Sequence, residues 1–207
     1  MIPAIILAAG ASVRMGRAKP LLAVAAAGDT FVARLVRSFA AAGVEDILVV
    51  IGAQGERVRG ALARLPAPVR IVENREYERG QLSSLVAALD VVDRPGVRAV
   101  LAMPVDMPLV TPATIRAVID AYRAARRPIV RPVVGDRHGH PVLFDRSMFG
   151  DLRAADVSRG ARTVIAAHLP EVLDVPVDDA GAIQDIDTPE DYERLTGLRL
   201  DGPSSRD

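Results

Sequence analysis

The chain of 207 residues contains no cysteine. That single absence removes disulfides, thiolate zinc centres and thiol nucleophiles together, and leaves a cytoplasmic enzyme as the plain expectation. Aromatic residues are scarce, at 3% against 50% hydrophobic residues overall. A core must therefore be assembled from Ala, Val, Leu and Ile, whose β-branched members suit buried parallel strands. Net charge is also missing, with 26 basic residues balancing 26 acidic ones. Without a basic excess, neither a general nucleic-acid binder nor a membrane-surface protein is expected. No apolar stretch approaches the ~20 residues that span a bilayer. The opening MIPAIILAAG lacks the basic lead of a signal peptide and reads as a first strand. Lysine is the last scarcity: Lys19 is the single lysine among 26 Lys and Arg residues.

What is present is an alternation of apolar strands and amphipathic helices. The pattern predicts strands over 5–7, 47–52, 69–74, 97–104, 129–134, 141–144 and 172–175. Helices are predicted over 30–42, 56–64, from 83 to 89, from 111 to 126, and over 146–152, 161–168 and 188–195. Thr-Pro pairs at Thr111-Pro112 and Thr188-Pro189 supply a capping hydroxyl and a helix-compatible first residue. Such alternation specifies an α/β fold, a mostly parallel sheet in a three-layer, Rossmann-like arrangement. With no repeat or break in composition, a single domain over 1–197 is expected, followed by a polar, disordered tail over 198–207.

In open parallel sheets ligands bind beyond the carboxyl ends of the strands. The polar residues in those positions are the loop from Gly10 to Lys19, the stretch from Asn74 to Ser84, Asp106, and Asp185 with Asp187. The first loop reads LAAGASVRMGRAKPLL. Its small residues allow close backbone approach to a ligand, and Arg14 and Lys19 add positive charge. The spacing matches neither a Walker A loop nor the dinucleotide fingerprint G-x-G-x-x-G. It is either a phosphate loop of another kind or a plain strand-to-helix turn. The lone lysine favours the former, because a compact ammonium is not interchangeable with a guanidinium.

Asp106 stands directly after an apolar strand, between Pro104 and Pro108, in PVDMPLV. Asp187 stands just before a helix, in DIDTPEDY. Each has a bland alternative, Asp106 as a turn residue and Asp187 as a helix cap. Taken together they form a pair able to hold Mg²⁺, which takes one or two carboxylates plus substrate phosphates. His138 and His140, beside Asp136, lack a clear third ligand for a transition metal, so a substrate-pocket or turn role is expected. A nicotinamide-dependent oxidoreductase is disfavoured by the failed glycine spacing and by the absence of an acidic residue after Ile51-Gly52-Ala53.

Five motifs, LAAGASVRMGRAKPLL, GQLSSL, PVDMPLV, HGHPVLF and DIDTPEDY, occur in this order. The set resembles the nucleotidyltransferase superfamily, and within it the MocA-type molybdenum cofactor cytidylyltransferases. The resemblance implies binding of a nucleoside triphosphate and Mg²⁺, attack by an acceptor phosphate on the α-phosphorus, and release of pyrophosphate. It assigns Arg14, Lys19 and Asp106 to catalysis, and Asp106 with Asp187 to the metal. It assigns Leu7, Ala8, Ala9, Gly10, Ser12, Arg14, Gly16, Lys19, Gly80, Ser83 and Ser84 to the nucleotide, and His140 to the acceptor. The related guanylyltransferases carry LAGG where this chain has LAAG; the Ala9 methyl favours the smaller cytosine, hence CTP over GTP. The implied acceptor is the molybdenum-molybdopterin cofactor, with a molybdoenzyme or its chaperone as a further partner. A sugar 1-phosphate acceptor and a non-turnover cofactor-binding chaperone are the alternatives. The chain departs from the usual GDMP at Val105, and the Gly80-Gln81-Leu82 stretch also varies among relatives.

Overall fold

The computed structural model describes residues 1–25, 28–66 and 68–200. Of the expected disordered tail, residues 201–207 lie outside the described residues, while Leu198 and Leu200 pack against the core.

Eight strands form one sheet among the described residues. They are β1 (Ala4–Ala8), β2 (Ile47–Ile51), β3 (Arg70–Glu73), β4 (Ala99–Pro104), β5 (Ile129–Val134), β6 (Arg137–His138), β7 (Val142–Asp145) and β8 (Val172–Pro176). The order is β3-β2-β1-β4-β7-β5-β6, with β8 on the other side of β5. β1 pairs in parallel with both β2 and β4, and β2 with β3. β7 runs against its neighbours β4 and β5, and β8 is again parallel to β5. The two-residue β6 hairpins back onto the end of β5 through Val133↔His138 and Val134↔Arg137.

Seven α-helices among the described residues cover the sheet: α1 (Phe31–Ala41), α2 (Gly55–Leu62), α3 (Gln81–Val92), α4 (Pro112–Ala125), α5 (Phe149–Ala154), α6 (Arg162–Ala167) and α7 (Pro189–Thr196). The predicted helix at 146–152 is a 3-10 turn, Arg146–Met148, leading into α5. Alternate side chains of a strand point to opposite faces, and β1 divides on that rule. Ala4, Ile6 and Ala8 enter the core shared with α1, α2 and α4, whereas Ile5 and Leu7 enter the one shared with α3 and α5. Both faces of the central strands are apolar, which is why they read as continuous runs rather than alternations.

Helix starts are chemically marked. The Thr30 and Thr111 hydroxyls accept from the backbone N–H groups of Ala33 and Thr114. Thr188 and Asp191 form a reciprocal capping box at α7, satisfying donors that a helix N-terminus leaves open. α7 is also tied to the front of the chain, where the Tyr192 hydroxyl donates to the Ala23 carbonyl at 2.8 Å.

Candidate active site

The strand β1 delivers the Gly10–Lys19 loop at its carboxyl end. Two residues there take left-handed backbone, Ser12 at φ 55° and Gly16 at φ 62°. They bracket a single 3-10 turn, Val13–Met15, that reverses the chain. The reversal is pinned by the Ser12 hydroxyl, which accepts from the backbone N–H of Lys19 at 3.1 Å. Close approach matters at a second place. Gly52, following β2, lies so near the loop that an added methyl would stand 2.6 Å from the Ala9 carbonyl oxygen. The Ala9 carbonyl also accepts from Ala53 N–H at 3.1 Å.

β4 delivers Asp106 beside this loop, and a main-chain hydrogen bond from Ile186 N–H to the Asp106 carbonyl, 2.8 Å, brings the 185–187 segment to the same spot. The side chains then meet. Lys19 Nζ donates to Asp187 Oδ1 and lies 3.6 Å from Asp106 Oδ2. Arg14 pairs with the other oxygen of Asp187 at 2.7 Å. Lys19 is enclosed, its side chain 10% exposed, while that of Arg14 is 70% exposed. The buried cation thus stands between two carboxylates, and an exposed one pairs with Asp187 on the open side.

The two carboxyls titrate in opposite directions. Burial lifts Asp106 above the ordinary carboxylate range; Lys19 opposes this, and the nearby charges of Asp187 and Asp185 add to it. For Asp187 burial also pulls upward, but the Lys19 hydrogen bond and charge, with the Arg14 charge, hold it below that range. Removing the cation takes away a downward pull on both carboxyls and leaves Arg14 acting on Asp187.

These groups line a cleft of about 330 Å³, together with Leu7, Ala9, Gly10, Ser84 and Tyr77. Of the residues singled out from sequence, Leu7, Ala9, Gly10, Ser12, Arg14, Lys19, Gly80, Ser84, Asp106 and Asp187 line this cleft. Ala8, Gly16 and Ser83 do not. The Ala8 methyl turns into the opposite core. Gly16 caps the 3-10 turn. Ser83 is consumed by the scaffold: its hydroxyl accepts from Asn74 Nδ2 at 2.8 Å and donates to the Gly80 carbonyl at 2.7 Å. Asn74 also reaches Ser84 Oγ at 2.9 Å, so one buried amide shapes the whole Gly80–Ser84 turn.

His140 lines a second, larger cavity of about 500 Å³, which shares Leu7, Gly80, Gln81 and Pro104 with the cleft. Burial lowers its imidazole to about 4, against the pull of Asp185, so it is neutral near pH 7. Its backbone N–H donates to the Ala182 carbonyl at 2.8 Å. Gly139 permits that contact, since a methyl there would stand 2.2 Å from the same oxygen. Arg131, on β5, lines this cavity too and was not singled out from sequence. The available signal was a charged residue inside the apolar run IVRPVV.

A fit for Mg²⁺ can be judged from the donors. Asp106 and Asp187 present hard oxygens to one cationic atom. Among the described residues no group of three or more His, Cys, Asp or Glu stands ready to hold a metal. A metal here would take its remaining ligands from water and phosphates, which is how Mg²⁺ is commonly bound.

Comparison with known proteins places these features in context. The model of the MobA-like NTP transferase domain matches residues 4–172. The bifunctional IPC transferase and DIPP synthase of Rubrobacter xylanophilus is 45% identical over 92 residues, 42% of this chain and 21% of that protein. The 2-aminoethylphosphonate cytidylyltransferase of Lancefieldella rimae is 39% identical over 97 residues, 44% of this chain and 38% of that protein. These matches span well under half the length of either curated relative. Over nearly the whole fold, the crystal structure of Rv0371c from Mycobacterium tuberculosis superposes with a TM-score of 0.81 at 32% identity, covering 95% of this chain and 97% of that one. A manganese complex of Rv0371c superposes with a TM-score of 0.76 at 29% identity, covering 95% and 98%. No helix among the described residues is long and apolar enough to cross a membrane.

Proposed function

The chain belongs to the MobA-like NTP transferase family, and from that premise we propose that it transfers CMP from CTP to the terminal phosphate of the molybdenum-molybdopterin cofactor, releasing pyrophosphate. The observation that carries the reading is the meeting of Asp106 and Asp187 on Lys19, at the mouth of a glycine-containing loop.

In this reaction an oxygen of the acceptor phosphate attacks the α-phosphorus, the bond to the β-phosphate oxygen breaks, and pyrophosphate departs with that electron pair. The acceptor is already an anionic nucleophile near neutral pH, so no strong base is required. The neutral His140 is no obstacle. What the protein contributes is alignment and charge. Lys19, fixed and enclosed, and Arg14, exposed and able to follow the triphosphate, offset the charge that develops on the phosphate oxygens. Asp106 and Asp187 would hold Mg²⁺, which when bound supplies Lewis-acid polarisation of the phosphates. The manganese complex of Rv0371c supports a divalent metal in this family.

CTP is favoured by the methyl of Ala9, which lines the cleft where Gly would leave more room. A single methyl discriminates by about 1–3 kcal/mol. The cytidylyltransferase named among the relatives points the same way. That relative also favours a second reading, in which the acceptor is a phosphonate or another phosphorylated compound rather than the cofactor.

The test is pyrophosphate release by the full chain with CTP, GTP, ATP or UTP, Mg²⁺, and each acceptor in turn. Release with CTP and molybdenum-molybdopterin alone is expected, and its loss in Asp106→Ala and Lys19→Ala. Wild-type turnover in both variants overturns the site; cofactor binding without nucleotide consumption makes the protein a chaperone; release only with another acceptor selects the second reading.

A further inference from the structure

The cavity beside the cleft has an unusual lining. Leu82, Leu85, Val142, Phe144 and Ile165 make its wall apolar. Its charged residues are Arg131, Arg159 and Arg162, with no carboxylate among the lining residues. A cavity with largely apolar walls, open on one side and holding arginines but no carboxylate, suits an anion carried on a largely apolar body.

Arg131 differs from the other two arginines in being enclosed, with its side chain 10% exposed. Its Nε donates to Asp174 Oδ1 at 2.6 Å, and Asp174 is its one ion-paired partner among the described residues. That bond fixes the plane of the guanidinium and leaves the two Nη groups for something else. Asp174 sits directly across from Arg131 on β8 and is 40% exposed, so water shares its charge. The other Asp174 oxygen lies 3.5 Å from His138 Nε2, which lines the same cavity.

The registers locate the fork relative to the cleft. Val130↔Leu143 and Ala102↔Val142 put Arg131, Val142 and Ala102 in one row across β5, β7 and β4. All three line the cavity. One step up the same face of β4 is Pro104, which the cavity shares with the cleft. Two strand spacings and a two-residue step along β4, roughly 12 Å between Cα atoms, separate Arg131 from Pro104.

Resting on the reading of the cleft as a phosphoryl-transfer site, the geometry points to Arg131 as the anchor of a second anionic group on the acceptor. That group lies across the cavity from the reacting phosphate, on the order of 10 Å away. The acceptor is thus a phosphate ester or phosphonate that carries a second anionic group at its far side. Arg131 selects it, and Asp174 acts as a positioning residue through Arg131.

The test is calorimetric binding to the full chain of hexanediol bisphosphate, whose extended phosphates span about that distance. Hexyl phosphate and propanediol bisphosphate serve as comparisons, one lacking the far anion and one too short. Wild type is expected to bind the hexanediol probe at least tenfold more tightly than either. Arg131→Met keeps the volume of the stem and is expected to erase that preference while leaving the nucleotide-induced shift in melting temperature unchanged. Should that variant not fold, Arg131→Lys, which keeps charge but loses the fork, is expected to weaken the preference. Equal binding of the three probes by wild type, binding of none, or a preference that survives replacement of Arg131 overturns the inference. Failure of the transferase reading looks different: the bisphosphate preference persists and depends on Arg131, yet no nucleotide is consumed with any acceptor.

Discussion

Lys19 and Asp187 are hydrogen-bonded across 168 residues of sequence. The same ammonium lies 3.6 Å from Asp106, and the segments carrying the two aspartates are tied by the main-chain bond from Ile186 to Asp106. A cation so placed does two jobs. It holds apart the charges of two carboxylates, and it presents a fixed positive end to the cleft.

Replacing it separates those jobs. Lys19→Met leaves Asp106 and Asp187 facing one another, and the melting temperature is expected to fall at neutral pH. Millimolar Mg²⁺ or Mn²⁺ is expected to raise it by more than in wild type, since metal would supply the missing charge. Transfer activity is expected to drop by about 10²–10³. Thermal melts with and without metal, alongside pyrophosphate release, check each part. A variant that melts as wild type and gains nothing from metal contradicts the arrangement.

Gly52→Ala probes the loop from behind. The new methyl would meet the Ala9 carbonyl, a backbone atom that cannot turn aside, at 2.6 Å. The expected result is a loss of about 1–3 kcal/mol in denaturant unfolding, with nucleotide KM raised more than kcat is lowered. An unchanged nucleotide KM would show that the loop does not need this close contact.

The capping box of α7 gives a pH signature. Asp191 is taken down to about 2, chiefly by the Arg194 hydrogen bond and then by Thr188. A depressed carboxylate stabilises the fold above its unfolded value near 3.8 and loses that contribution as pH falls toward 2. Asp191→Asn is expected to flatten the acid limb of a pH–stability curve in that window. Thr188→Ala is expected to cost about 1 kcal/mol at neutral pH, and less at the acid end, because its hydroxyl also donates to the Asp191 carboxylate. Urea melts from pH 2 to 7 decide both.

His140 acts over a different window. Its folded value of about 4 lies below the ordinary 6.5, so its neutral form favours the folded state above pH 6.5. That contribution disappears as pH falls from there through about 4. His140→Phe is expected to remove the slope between those limits. The acceptor KM of the wild type is expected to show no step near pH 6.5. A step there, lost in the variant, would mean that a protonated imidazole meets the acceptor.

The sequence carried the framework well because its signals are local. Apolar runs bounded by Gly and Pro mark the strands, and Thr-Pro pairs mark the starts of α4 and α7. Strand direction is not local. Nothing in PVLF announces that β7 runs against β4 and β5, since an apolar run has no sense of polarity. The short β6 likewise depends on a hairpin rather than on composition. Within the cleft, Asp106 was legible as a polar residue directly after an apolar strand, Lys19 as the lone lysine closing the first loop, and Asp187 as an acidic residue just before a Thr-Pro helix start. The side-chain alternation of β1 would also have sent the Ala8 methyl away from the cleft. Arg131 was hidden inside a strand otherwise fit for burial, and only the register across β5, β7 and β4 gives it a cavity to serve.

The main-chain bond between Ile186 and Asp106 has a consequence during synthesis. Ribosomes extend the chain from its amino end, so β1 to β4 emerge with the loop, the lysine and one aspartate long before the second aspartate exists. A nascent chain therefore carries an unfinished cleft whose cation has only half its counter-charge. On the reading proposed above, the cleft is complete only once the segment carrying Asp187 has been made, so a translation product cut short before residue 187 is expected to be silent rather than partly active.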